Sequence, residues 1–121
     1  MSTFEKHKEL YENFKKDAEK IDLYVGTQVE AYFLAAFHLI ETCAAKEMVH
    51  INKHQLVRKS LENNKNIFQD KTEDIWRNFQ TIENKIRPKF VYGASWRQID
   101  IEEVKVCFKK IEKICLEILV E

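Results

Sequence analysis

The apolar positions along the chain predict five helices, of which the second is apolar on nearly every side. The segment QVEAYFLAAFHLIETCAAKEM, residues 28–48, contains neither Gly nor Pro and repeats apolar residues at helical spacing. Its stripe comprises Val29, Phe33, Ala36, Phe37, Ile40 and Ala44, and much of the opposite side is filled by Ala31, Leu34, Ala35 and Ala45. Such a helix has to be surrounded by other helices. We therefore expect this segment to lie at the centre of the fold.

Helix 1 is predicted before the central segment, which is helix 2, and helix 3 is predicted after it. Helix 1 covers residues 3–24, with Gly26 as its stop signal and Thr27 as a cap for helix 2. Its apolar stripe is Phe4, Tyr11, Phe14, Ala18, Ile21 and Val25, with Leu10 on the margin. Asn52 and Gln55 form a capping-box pattern that opens helix 3, which ends at residues 63–64. Helix 3 should point Leu56, Val57 and Leu61 inward and expose the basic residues Lys53, His54, Arg58 and Lys59.

Helices 4 and 5 follow from two more capping patterns. Asp70 with Glu73 opens helix 4, and Pro88 ends it, because a residue before a proline is disfavoured in helical geometry. The apolar face of helix 4 is Ile75, Trp76, Phe79, Ile82 and Ile86. Asp100 with Glu103 opens helix 5, whose core-facing residues are Val104, Phe108, Ile111, Cys115 and Ile118. The sequence therefore predicts an all-α, up-down bundle of about five helices in a single domain, residues 1–121.

Charge and cysteine content narrow the classes of function. The 20 Lys and Arg residues balance 20 Asp and Glu residues, so a chain-wide basic field for nucleic acid is absent and any contact needs a local patch. Cys107 and Cys115 lie about 12 Å apart along one predicted helix, too far for a disulfide. We expect the 3 cysteines to be buried thiols in the reducing cytoplasm. The amino-terminal sequence lacks a signal-peptide core and no apolar run approaches membrane length, so we expect no membrane contact.

The best candidate site lies just after the fourth helix, in a stretch without clean periodicity at residues 89–99. Aromatic and basic residues occur together there, and the candidates for binding a nucleotide or phosphate are Arg87, Lys89, Tyr92 and Trp96. Guanidinium and ammonium groups bind phosphate, and an aromatic ring offers a stacking surface for a base. The competing interpretation is that Phe90, Tyr92 and Trp96 cover the end of the bundle.

The histidines are weaker candidates. His50 and His54 have a metal-binding spacing, but Asn52 would start a helix between them and no partner ligand lies at a useful offset, so we expect no metal. His38 and Glu41 share a face of helix 2, where a buried hydrogen bond is a commoner role than a catalytic couple. The secondary site candidates are His38, His54 and Arg58. Glycine-rich phosphate loops and serine-nucleophile elbows are absent, and no cofactor is expected.

Two of these segments resemble motifs of the HEPN (higher eukaryotes and prokaryotes nucleotide-binding) superfamily. The run AYFLAAFHLIE, residues 31–41, resembles the Tyr-Tyr-Ala-x-Phe-His helix of that family. The run RPKFVYG, residues 87–93, followed by the acidic helix start at Asp100, resembles the family's Arg-x4-6-His region. It is closest to versions in which a Tyr-Gly pair follows the arginine. The similarity spans residues 31–119 and includes helix order and the position of the irregular loop.

The resemblance implies a compact helical bundle that usually forms a homodimer. Many members are RNases in which the arginine and histidine of both subunits meet in a cleft. These RNases cleave RNA without metal, through attack by the ribose hydroxyl. Other members are toxins neutralised by a small nucleotidyltransferase partner, and others are noncatalytic binding modules.

The chain departs from the RNase pattern at the decisive position. Tyr92 stands where the family histidine is expected, no histidine occurs after His54, and Pro88 follows Arg87 where active members usually carry a polar residue. A tyrosine that titrates at its ordinary pH is a poor general acid or base near neutrality. We therefore expect no standard catalytic residues, with Arg87 and Lys89 contacting phosphate instead.

Three hypotheses follow. The first is a HEPN-like, noncatalytic dimer that binds nucleotide, RNA or a nucleotidyltransferase partner in a toxin–antitoxin-like context. The second is an active, metal-independent endoribonuclease with an atypical site, such as Arg87 with His38 or His54 supplied across a dimer. The third is a structural or regulatory helical module that binds a protein through an apolar face.

Overall fold

The computed structural model describes residues 2–93 and 95–120, which form an all-α fold with no strand among them. The long helices are α1 (Ser2–Ala18), α2 (Val25–Lys46) and α6 (Gln98–Leu119). Between α2 and α6 lie α3 (Val57–Asn63), α4 (Thr72–Gln80) and α5 (Arg87–Val91). A π-helical turn, Thr81–Ile86, joins α4 to α5 without a break. These elements form five helical rods, so the predicted fold class is confirmed.

The centre of the fold is α2, as its sequence predicts. It packs against α1, α4, α5 and α6, and every residue of its predicted apolar stripe is buried. Ala31 and Ala35 on the other side are buried as well, which lets neighbouring backbones approach closely. The predicted core faces of α4 and α6 are buried against this helix, with Trp76 and Ile118 only partly covered.

The boundary between α1 and α2 differs from the prediction. α1 ends at Ala18, so Ile21, placed on its apolar stripe by the sequence, is 95% exposed. The chain uses residues 19–24 to reverse direction, because α2 already begins at Val25. Gly26 is therefore not a stop signal but part of the first turn of α2, where a Cβ would lie 2.5 Å from the Tyr24 ring. Thr27 does not cap α2 either.

The predicted capping boxes of α3 and α4 are also wrong. The chain enters these helices through 3-10 turns, His54–Leu56 and Gln69–Lys71. Neither Asn52 nor Asp70 provides a side-chain cap. In each 3-10 turn a backbone N–H, that of Leu56 or of Lys71, donates to the carbonyl three residues earlier. These bonds satisfy backbone donors at the start of the helix that a capping side chain would otherwise satisfy. Because of this entry Leu56 is largely exposed, not inward-facing, and His54 is half-buried, not solvated.

Pro88 does not end the fourth helical rod. Arg87, expected outside helical geometry, has helical angles of φ −51° and ψ −43°. The preceding turn is π-helical, a wider arrangement that accommodates the donor missing at proline, and Pro88 takes a first-turn position of α5. The irregular stretch therefore shrinks from the predicted residues 89–99 to residues 92–97, of which 94 lies outside the described residues.

The start of α6 lies two residues before the predicted cap. Arg97 is the residue that precedes the helix, and Asp100 lies in its first turn. The Asp100 carboxylate accepts the backbone N–H of Arg97 at 2.8 Å, so it caps the helix from within. Glu103, its predicted partner, instead binds Lys85 of the π-helical turn at 3.1 Å.

The cysteines behave as the sequence predicts. Cys43, Cys107 and Cys115 are free and buried, and the Cys43 thiol lies 3.6 Å from the backbone carbonyl of Cys115. Burial raises the pKa of the Cys115 thiol well above its ordinary value, which keeps it protonated. Within the described residues, no helix has the length and apolar character needed to cross a bilayer.

Candidate functional site

Arg87 lies at the first turn of α5, where it is held against α2. Its Nε donates to Glu30 Oε1 at 2.7 Å and its Nη2 donates to Oε2 at 3.2 Å. The guanidinium carbon lies 4.5 Å from the centre of the Phe33 ring. Hydrogen bonding to Glu30 raises the pKa of Arg87, with burial acting in the opposite direction. The guanidinium is therefore charged, oriented and only partly exposed to solvent.

His54 approaches the same phenylalanine from the 3-10 turn that precedes α3. Its Nδ1 makes a short contact with the Glu83 carboxylate, and its ring meets Phe33 edge-on with 5.1 Å between centroids. Arg87 and His54 both contact the Phe33 ring. The guanidinium carbon and the centre of the imidazole are therefore separated by no more than the sum of their distances to the Phe33 centroid, 4.5 and 5.1 Å. Glu30, Phe33, His54, Glu83 and Arg87 are called the Arg87 cluster below.

Lys89, the second predicted phosphate ligand, serves a different role. Its Nζ donates to Asp100 Oδ1 at 2.9 Å, which ties α5 to the start of α6. The Arg97 backbone N–H and then this ammonium group hold the pKa of Asp100 below its ordinary value. The basic corner predicted from the sequence is thus divided, since Arg87 faces Glu30 while Lys89 faces Asp100.

The two predicted stacking residues differ in exposure. Tyr92, five residues after Arg87, is 79% exposed. Trp96 is partly covered by Phe90, with 5.1 Å between ring centroids, and Phe90 packs on the core. Phe90 and Trp96 therefore do cover the end of the bundle, as the competing interpretation holds, whereas Tyr92 does not. Gly93, whose φ is +76°, allows the chain to turn sharply between Tyr92 and Trp96.

The secondary candidate Arg58 lies on the exposed side of α3. Its guanidinium is 5.6 Å from the centre of the Trp76 ring, and its Nε donates to Glu62 at 3.2 Å. The pair with Glu62 is exposed at both ends, so it contributes little to stability. Arg58 remains accessible to a ligand, stacked on an aromatic ring of α4.

The third secondary candidate, His38, lies in a separate cluster with His7 and Glu41. Its Nδ1 is 3.1 Å from His7 Nδ1 and 2.9 Å from Glu41 Oε1. Burial lowers the pKa of His7, with Glu41 opposing and two neighbouring histidines adding to the effect. His7, His38 and Glu41 are called the two-histidine cluster below.

Sequence reasoning missed the partners that orient the candidate groups. Glu83 lies four residues before Arg87, a helical spacing that could have indicated their proximity. Glu30 lies 57 residues before Arg87, a separation from which no local pattern predicts their pairing. No sequence spacing connects His7 with His38, because they lie on different helices and 31 residues apart.

Comparison with known proteins adds nothing to this geometry as a basis for proposing a function. No protein-family model, no curated protein and no solved structure matches the chain.

Proposed function

We propose that this chain is a HEPN-like helical domain that binds RNA or a nucleotide through phosphate at the Arg87 cluster. The observation that carries the proposal is the meeting of Arg87 and His54 on one ring, Phe33. Both side chains are partly exposed, and each is oriented by its own carboxylate. Two oriented phosphate-binding groups beside an open surface favour a binding site over a purely structural role.

The guanidinium keeps capacity for a ligand while it is bound to Glu30. A guanidinium has five N–H donors, and among the described residues Glu30 occupies the Nε and one Nη2 donor of Arg87. The outer donors can therefore bind phosphate oxygens without breaking this pair. Tyr92, five residues after Arg87 and exposed, supplies a ring on which a base can stack.

The exposed apolar residues near this turn suit a second copy of the chain. Val91 is exposed at the end of α5, and Ile99 and Val106 are exposed seven residues apart on one side of α6. Exposed apolar side chains grouped in this way are typical of interaction surfaces. We propose that a homodimer covers them, which light scattering on the purified protein tests directly.

Replacing Arg87 by glutamine should weaken binding of a labelled single-stranded RNA and flatten its salt dependence. Losing one phosphate contact reduces the slope of log affinity against log salt by about 0.7 for a single strand. Fluorescence anisotropy across a salt series measures both quantities. Adenosine monophosphate as a competitor distinguishes a nucleotide site from one that needs a longer strand.

The matched control is Arg77→Gln. Arg77 lies on α4, in the same helical rod, and is exposed with only surface partners. It should bind RNA like the wild type. Equal affinities and slopes for wild type, Arg87→Gln and Arg77→Gln would reject the Arg87 cluster as the phosphate site.

A second candidate function, metal-independent RNA cleavage, is favoured by one observation. His54 contacts the same Phe33 ring as Arg87 within a single chain, although Tyr92 replaces the histidine expected from the family pattern. Glu83 orients His54, which could take the proton of a ribose 2′-hydroxyl as that oxygen attacks the neighbouring phosphorus. The P–O5′ bond breaks in the same step, which leaves a 2′,3′-cyclic phosphate and a 5′-oxygen that takes its proton from water. Arg87 would then stabilise the charge that develops on the phosphoryl oxygens.

If the chain cleaves RNA in this way, His54→Gln should lower the rate about 10²- to 10⁴-fold. The assay follows structured RNA in EDTA and detects 2′,3′-cyclic phosphate ends. His50→Gln, which changes an exposed histidine, should keep the wild-type rate. An RNA with one 2′-deoxy position should resist cleavage there. Absence of cleavage by the wild type would reject this second candidate and leave the binding proposal to its own test.

A further inference from the structure

The two-histidine cluster joins the first two helices at a partly buried position. His7 belongs to α1, whereas His38 and Glu41 lie one turn apart on α2. His7 Nδ1, His38 Nδ1 and Glu41 Oε1 form a triangle with sides of 3.1, 3.1 and 2.9 Å. Three atoms that can each offer a lone pair to a cation therefore lie within 3.1 Å of one another between the helices.

One hydrogen bond, between His7 Nδ1 and His38 Nδ1, lies within this arrangement, and it leaves the Glu41 carboxylate unsatisfied. Glu41 is only 4% exposed, and its Oε1 has no hydrogen-bond partner among the described residues, although two imidazole nitrogens lie within 3.1 Å. A buried carboxylate oxygen without a hydrogen bond is destabilising. If both Nδ1 atoms point toward a common position above the triangle, neither imidazole directs an N–H bond at Oε1, and this oxygen is left without a hydrogen bond. A cation at that point would contact all three atoms at once.

We propose that His7, His38 and Glu41 bind one zinc ion that links α1 to α2. Tetrahedral zinc with bonds of about 2.0–2.1 Å requires ligand atoms about 3.3–3.4 Å apart. The observed sides are shorter by only a few tenths of an ångström. Two imidazoles and a carboxylate are a known zinc ligand set, whose fourth position is filled by water.

The surroundings hold the ligands in place and leave access for the ion. The His38 ring stacks between His7 and Phe14, at centroid distances of 5.3 and 5.7 Å, and it also contacts Phe37. Both histidine side chains are 14% exposed, so water can reach the open side of the cluster. The donor set of nitrogen and carboxylate oxygen favours zinc or cobalt over calcium or magnesium, which prefer oxygen alone.

Zinc binding at this place would stabilise the docking of α1. Anything that binds the folded chain in preference to the unfolded chain raises the melting temperature with its free concentration. The proposal concerns a surface separate from the phosphate contacts of Arg87 and does not depend on RNA binding.

Equilibrium dialysis of the untagged, metal-depleted protein against zinc chloride, followed by elemental analysis, tests the site. We expect one zinc per chain for the wild type and for His54→Gln, the matched histidine control. His7→Gln and His38→Gln should lose about tenfold or more in affinity. Cobalt substituted for zinc should give the visible absorption bands of a four-coordinate site. The melting temperature of the wild type should rise with zinc.

A second measurement needs no variant and remains decisive even if a substitution unfolds the chain. Histidine ring proton signals in NMR should shift for His7 and His38 at one equivalent of zinc, while the His54 signals stay in place. The proposal is overturned if the wild type takes up no zinc at equimolar concentration. It is also overturned if His7→Gln and His38→Gln both retain wild-type affinity, or if zinc shifts His54 alone.

Discussion

Replacing Phe79 with alanine should lower the free energy of unfolding by about 3–5 kcal/mol. Phe79 is fully buried, and its ring lies 5.5 Å from that of Phe33 and 6.5 Å from that of Phe37. Truncation leaves a cavity between α2 and α4 and removes the support beneath Phe33. Chemical denaturation followed by circular dichroism measures the change.

The comparison variant for this prediction is Tyr92→Ala, which removes an exposed aromatic ring just after the same helical rod. Its effect on the free energy of unfolding should stay within about 0.5 kcal/mol. Phe79→Leu should fall between the two, because most of the buried apolar volume remains. A Phe79→Ala protein as stable as Tyr92→Ala would show that the rings of Phe33, Phe37 and Phe79 are not the main packing contact between α2 and α4.

Replacing Glu112 with glutamine should cost about 1–3 kcal/mol of stability near neutral pH. Glu112 is a buried carboxylate on α6 that accepts the Tyr11 hydroxyl at 2.6 Å and the Lys15 ammonium at 2.8 Å. These bonds attach α1 to α6. The amide keeps the size of the side chain and an acceptor for Tyr11, but it loses the charge that pairs with Lys15. The matched control is Glu117→Gln, an exposed position on the same helix.

The pH dependence of this effect has a definite sign. Burial alone would raise the pKa of Glu112, but the bonds from Lys15 and Tyr11 outweigh it and lower the pKa. The folded chain therefore binds a proton at Glu112 less readily than the unfolded chain does. The stabilisation from Glu112 is complete at pH values above the pKa that this carboxyl has in the unfolded chain. It is lost as the pH falls through the lower pKa of Glu112 in the folded chain.

Unfolding curves of wild type and Glu112→Gln should therefore converge in acid. Glu117→Gln should show no such convergence. On the alkaline side, hydrogen bonding to Glu112 raises the pKa of Lys15, so the stability contributed by Lys15 is complete below the unfolded pKa and is lost as the pH rises from there through the raised folded pKa. A constant difference between wild type and Glu112→Gln from neutral pH into acid would contradict the assignment of the lowered pKa to this carboxylate.

The order of helices and their apolar faces could be predicted from the sequence because both are local properties. The apolar stripe of α2 and the faces of α4 and α6 repeat every 3.6 residues, and burial follows that period. Helix ends were less predictable. The capping patterns at Asn52 and Asp70 compete with 3-10 turns, and Pro88 is accommodated by a π-helical turn that no local pattern indicated.

The candidate site was predicted only in part. Arg87 and Tyr92 were identified from residue type and position, and in the structure Arg87 binds Glu30 of α2 while Tyr92 is exposed just after α5. The pairing of Arg87 with Glu30 and the approach of His54 depend on how α5 and the 3-10 turn before α3 pack on α2. Lys89 was predicted to bind phosphate because the sequence does not show that Asp100 is its partner. The two residues are separated by a turn whose path the sequence does not specify.

By itself the sequence determined which segments are helical and which faces are buried, since helical periodicity is encoded in residues a few positions apart. Only the tertiary structure decided which polar side chains meet. The contacts of Arg87 with Glu30 and of His7 with His38 join residues 57 and 31 positions apart. Such contacts depend on the packing angle and rotation of whole helices, to which many core residues contribute small amounts. No short stretch of sequence carries that information.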